Sequence, residues 1–121
     1  MNAGQTCIAV DYVVVQESVK DALLAAMTKE IGKRYPHAEK SDAYPSIINQ
    51  RHYDRLIGLM KTESSLIGGA VNAEKRRIAP TLMPEADFDH PIMEDENLWA
   101  LASHNCCKRH AKRRSAHQNA A

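Results

Sequence analysis

Residues 8–15 read IAVDYVVV, a run of β-branched and apolar side chains broken only by Asp11. Apolar groups at both odd and even positions give the run two apolar faces, which suits a strand covered on both sides. A buried strand, most naturally a parallel one, is therefore predicted to cover at least Tyr12, Val13, Val14 and Val15. Ser18 follows at a helix N-cap position, with Asp21 three residues on as in a capping box. Val19, Leu23, Met27 and Ile31 then recur every four residues, and Lys33 and Arg34 place cations where the helix dipole favours them, at the C-terminal end.

The next stretch, residues 36–45, is a polar connection. Asn49 is placed to cap a second helix whose apolar stripe is Tyr53, Leu56, Ile57 and Met60, with Arg51, Asp54, Arg55 and Lys61 elsewhere on its surface. Residues 66–70 (LIGGA) and 77–83 (RIAPTLM) are predicted as short strands around a charged turn, and Pro80 marks an edge or a strand end, because proline has no N–H to give a ladder. The order strand, helix, helix, strand, strand is an α/β pattern. Stripes at helical spacing are core packing, so Met27, Met60 and Tyr53 are given no functional role.

Composition limits what such a chain can do. Its 121 residues make one domain, and one Trp, one Phe and four Tyr leave a core that must be mainly aliphatic. Charge divides at one point: residues 1–96 hold 11 Lys and Arg against 15 Asp and Glu, whereas residues 97–121 hold five basic residues and no acid. No apolar run approaches the roughly 20 residues of a membrane span, and the start lacks the basic-then-apolar layout of a signal peptide. Three cysteines, two of them adjacent, form no disulfide framework and suit a reducing compartment, so a cytoplasmic location is expected.

Cys7 is the residue with chemistry to offer. A lone cysteine is most often a small buried hydrophobe, but here Gly4 permits close backbone approach, Gln5 and Thr6 supply polar groups, and a strand follows at once. A thiol at the end of an element, near backbone N–H groups, can be activated and can have an oxyanion stabilised beside it.

The segment Asn2-Ala3-Gly4-Gln5-Thr6-Cys7-Ile8-Ala9, followed by Asp11-Tyr12-Val13, resembles the catalytic-cysteine segment of aldehyde dehydrogenases, in particular the class 3 and coniferyl-aldehyde branch. Tyr44-Pro45-Ser46-Ile47-Ile48-Asn49 with His52-Tyr53, then Gly68-Gly69, Ile78-Ala79-Pro80-Thr81-Leu82 and Ile92-Met93-Glu94-Asp95-Glu96 resemble later landmarks of that branch, in the same order. Val10 departs from the pattern, standing where that branch has proline. The resemblance implies NAD- or NADP-dependent oxidation of an aldehyde to an acid. Cys7 would be the nucleophile, its own N–H would form half of an oxyanion hole, and Glu96 would bond a ribose of the dinucleotide. On local sequence alone Glu96 reads first as a solvated member of the acidic run at 94–96. In the family the dinucleotide-binding region precedes the cysteine, so residues 1–96 are expected to be part of a catalytic domain, inactive alone, from an enzyme that pairs as a homodimer. The strand at 8–15, lacking neighbours, is expected to leave the chain poorly soluble or partly folded.

Residues 97–121 lose the resemblance, which would continue Ile-Phe-Gly-Pro. One reverse translation, AAT CTT TGG GCC CTT GCT for Asn97 to Ala102, gives Ile-Phe-Gly-Pro-Leu when its first base is dropped, although codon degeneracy allows other readings. A one-base insertion, with an out-of-frame, disordered basic tail from residue 97 onward, is therefore expected, and sequencing the locus tests it. His104, Cys106, Cys107 and His110 do not match zinc-ligand spacing, so no metal is assigned. Lys108, Arg109, Lys112, Arg113 and Arg114 open one alternative, a non-catalytic remnant that binds acidic partners or nucleic acid through its tail. No interleaved aromatic supports nucleic-acid binding, and such runs are usually solvated.

Overall fold

A computed structural model of the chain describes residues 2–86 and 89–93 and the backbone of 101–105. Strand β1 (Tyr12–Val15) leads into helix α1 (Glu17–Arg34), and α2 (Gln50–Lys61) follows. Four short strands come next: β2 (Ile67–Gly68), β3 (Val71–Asn72), β4 (Arg77–Ile78) and β5 (Thr81–Met83). A 3-10 turn at Pro91–Met93 precedes β6 (Leu101–Asn105).

One sheet has the order β1-β6-β5-β2, and β3 with β4 makes a separate two-stranded ribbon. Strand β6 is parallel to both neighbours, with Tyr12 opposite Ala102 and Met83 also opposite Ala102. The pair β2–β5 is antiparallel. The α/β expectation thus holds, with a parallel β1 and two helices.

Three expectations need correction. First, β1 is not buried on both faces: Tyr12 and Val14 are about half exposed and only Val15 is buried, because β1 lies at the sheet edge with β6 as its neighbour. Second, Ser18 does not cap α1. Gln16 holds the N-cap with extended backbone and makes no side-chain cap bond, and Val19 N–H closes the first turn on Gln16 O at 3.0 Å. Third, 101–105 is paired strand where a disordered tail was expected. The sequence there, LASHN, has no Lys, Arg, Asp or Glu, so the basic composition that disfavours folding begins after it. The rest of the tail lies outside the described residues.

The core is built around α2. Asn49 caps it as expected, its side-chain oxygen accepting from His52 N–H at 2.9 Å. Tyr53 and Leu56 then turn inward onto Ile47, Ile78 and Ala3, with Tyr44, Ile57 and Met60 packed against them. Met60 also touches a second cluster of Met83, Ala86 and Ile92. Burying a side chain such as Leu56 stabilises by about 1.5–3 kcal/mol. The Tyr44 ring meets Tyr35 edge-on at 5.8 Å, and burial pushes its phenol up to about 12, with Tyr35 adding to the rise.

Helix α1 contributes no buried residue. Its stripe of Leu23, Met27 and Ile31 is only half-buried, and Val19 is exposed. A lysine helps to tie it down: Lys20 Nζ donates to Glu85 Oε1 at 2.7 Å.

Candidate active site

Two successive tight turns carry Cys7. In the first, Gln5 N–H donates to Asn2 O at 2.9 Å, and both central residues have left-handed backbone, Ala3 at φ 49° and Gly4 at φ 77°. Positive φ at both central positions marks a type I′ turn, where glycine is at ease and alanine costs roughly 1–2 kcal/mol. Ala3 is nevertheless held there, because its methyl is buried in the cluster with Ile47, Tyr53 and Leu56. In the second turn Ala9 N–H donates to Thr6 O at 2.9 Å, which places Cys7 and Ile8 at its centre.

Cys7 is a free, exposed thiol. A turn closed this way uses the N–H of its fourth residue, and among the described residues no acceptor takes the N–H of Cys7 or Ile8. A sulfur nucleophile beside unused backbone donors has what an addition to a carbonyl needs, since the donors can bond the oxygen as it becomes negative.

Gln5 joins this loop to the body of the fold. Its Nε2 donates to Ser46 O at 3.0 Å and to Asn2 O at 3.2 Å, while its Oε1 accepts from Ile48 N–H at 2.8 Å. Residues 46–48 are themselves fixed to the β3–β4 turn, with Ile47 N–H donating to Arg76 O at 2.8 Å and Arg76 Nε to Ile47 O at 3.3 Å. Sequence reasoning took Gln5 as a general source of polar groups and missed this clamp. No local signal could reveal it, since Ile48 lies 43 residues along the chain.

Glu96, the other residue assigned a role, lies outside the described residues. The chain just before it is well held. His90 Nδ1 accepts from Ile92 N–H at 3.1 Å, leaving Nε2 to donate to Glu63 Oε1 at 2.9 Å, and Ile92 is buried. Among the described residues no group of three or more His, Cys, Asp or Glu is placed to hold a metal ion, and no helix is long and apolar enough to cross a membrane. His104 belongs to β6, and Cys106, Cys107 and His110 lie outside the described residues.

The aldehyde dehydrogenase family model matches residues 1–100. The bovine dimeric NADP-preferring aldehyde dehydrogenase is 37% identical over 97 residues, an alignment covering 79% of this chain and 41% of that protein. The 4,4'-diaponeurosporen-aldehyde dehydrogenase of Staphylococcus aureus is 41% identical over 98 residues, covering 78% of this chain and 21% of its own length. Among solved structures, the substrate-bound state of Staphylococcus aureus AldH superposes with a TM-score of 0.77 at 32% identity, over 91% of this chain and 25% of that one. Lactaldehyde dehydrogenase from Escherichia coli shares the fold, with a TM-score of 0.69 at 21% identity over 87% of this chain and 24% of that one. The chain therefore spans less than half the length of these relatives.

Proposed function

Because this chain belongs to the aldehyde dehydrogenase family, we propose that it carries the nucleophile for NAD- or NADP-dependent oxidation of an aldehyde to a carboxylic acid, with Cys7 as that nucleophile. The Cys7 thiolate adds to the aldehyde carbon, and the oxygen, now an anion, takes hydrogen bonds from the N–H groups of Cys7 and Ile8. Loss of hydride from the adduct leaves a thioester on Cys7, which water cleaves to release the acid. A nicotinamide dinucleotide supplies the hydride acceptor. Glu96 is proposed to bond its ribose. The described residues form the nucleophile side of the reaction and no phosphate cradle, so the steps assigned to this chain stop at holding the thiolate and its adduct.

The observation that carries the reading is an exposed Cys7 at the centre of a turn in which, among the described residues, no acceptor takes the N–H of Cys7 or Ile8, inside the segment that matches the family. Turnover by this chain alone is not expected, given the share of its relatives that it spans. Pairing into a homodimer is proposed for the intact enzyme, and a cytoplasmic location fits three cysteines with no disulfide framework.

Competitive thiol labelling tests the assignment. With limiting iodoacetamide at neutral pH, Cys7 is expected to be alkylated several-fold faster than Cys106 or Cys107, read by peptide mass spectrometry. Equal labelling of all three would remove the case for an activated nucleophile.

A further inference from the structure

We propose that Gln5 is the positioning residue of Cys7, holding the turn that bears the sulfur against residues 46–48 so that the thiol and the free N–H groups keep one arrangement. The inference rests on the reading of Cys7 as nucleophile and goes beyond it. A side-chain amide that donates to Ser46 O and accepts from Ile48 N–H pairs with that segment as a neighbouring backbone would. The connection continues into the β3–β4 turn through Ile47 and Arg76, and into α2, whose Asn49 cap follows directly. Only Thr6 separates Gln5 from Cys7, and the bond from Thr6 N–H to Gly4 O at 2.8 Å shortens the path further.

The left-handed conformation of Ala3 is a second, independent sign of imposed geometry. A non-glycine residue stays in that region only where its surroundings hold it, and such positions gather at reacting sites. Here the surroundings are Ile47, Tyr53 and Leu56, with which the Ala3 methyl is buried, and the Gln5 amide, which donates to Asn2 O. Cys7 is exposed, so packing does not fix the sulfur, and the hydrogen-bonded turn must do so.

The test uses the full chain with Cys106→Ser and Cys107→Ser, leaving one thiol. Carbonyl-13C benzaldehyde is titrated, and the thiohemiacetal carbon is followed by NMR while Ile48 amide exchange is measured on the same samples. Gln5→Met, which keeps length but not the amide, is expected to speed Ile48 exchange about tenfold and to lower the adduct constant about tenfold. Gln5→Glu, which keeps the acceptor for Ile48 N–H, is expected to recover most of the exchange protection and part of the adduct constant. Rescue by Glu distinguishes positioning from general destabilisation, and circular dichroism checks that each variant folds. Faster Ile48 exchange with an unchanged adduct constant would overturn the proposal, as would no change in either. A parent chain whose adduct is no stronger than that of N-acetylcysteine sinks the Cys7 reading, and with it any positioning role for Gln5. A strong parent adduct that is indifferent to Gln5 sinks the positioning role alone.

Discussion

At Gly68 a single hydrogen atom in place of a side chain decides whether β2 can meet β5. Its backbone sits at φ +86°, and a Cβ there would lie 2.4 Å from the Pro80 carbonyl oxygen, which is backbone and cannot swing aside. Gly68→Ala therefore meets left-handed strain and a steric clash together, and strain alone costs about 1–3 kcal/mol. Gly58, inside α2, is the control: a Cβ there meets nothing within 4 Å. Gly58→Ala is expected to stabilise by about 0.5–1 kcal/mol, because alanine gives up less backbone freedom in a helix. Urea unfolding should move the midpoint down for the first variant and up for the second. A midpoint for Gly68→Ala that does not fall would mean that the close approach of Gly68 to Pro80 is not a feature of the folded chain.

Among the elements, the two helices separate what spacing reveals from what it cannot. Asn49 was legible as a cap and is one, so Asn49→Ala should cost about 1 kcal/mol. Ser18 carried the same signal and makes no cap bond, because α1 begins from Gln16 instead. Ser18→Ala is expected to change stability by no more than a few tenths of a kcal/mol, as surface changes away from such features do. Equal losses by thermal melts would return Ser18 to the cap. Periodicity located both helices but not their burial, since burial depends on what packs opposite. Tyr53 and Leu56 found Ile47 and Ile78, whereas the α1 stripe found no partner that buries it. The same limit explains β1, whose apolar run promised two covered faces but lies at an edge. At the candidate site, Cys7 was legible because its neighbours form a local motif. The Gln5 clamp was not, because its partners lie more than 40 residues away.

For the molecule as a whole, both core clusters draw on α2 and the strands after it, the first adding Ala3 and Ile47 and the second the turn around Ile92. Helix α1 adds no buried side chain to either, and among the described residues Lys20 ties it to Glu85, just after β5. An ion pair with one partner largely exposed contributes at most about 1 kcal/mol, so α1 can open without disturbing the core. Local opening free energies follow buried contact, and the regions with least of it exchange first. Amides in the middle of α1 are therefore expected to exchange at least tenfold faster than those of Leu56 and Ile57 in α2, measured residue by residue at neutral pH. Adding Lys20→Met should widen that difference by speeding α1 and leaving α2 unchanged. Protection of α1 equal to that of α2 would instead show one cooperative unit spanning both, and α1 would then be held by contacts beyond those of the described side chains. With the expected order, the stable part of the chain is the part to which Gln5 fastens the cysteine turn, and Cys7 keeps its position while α1 frays.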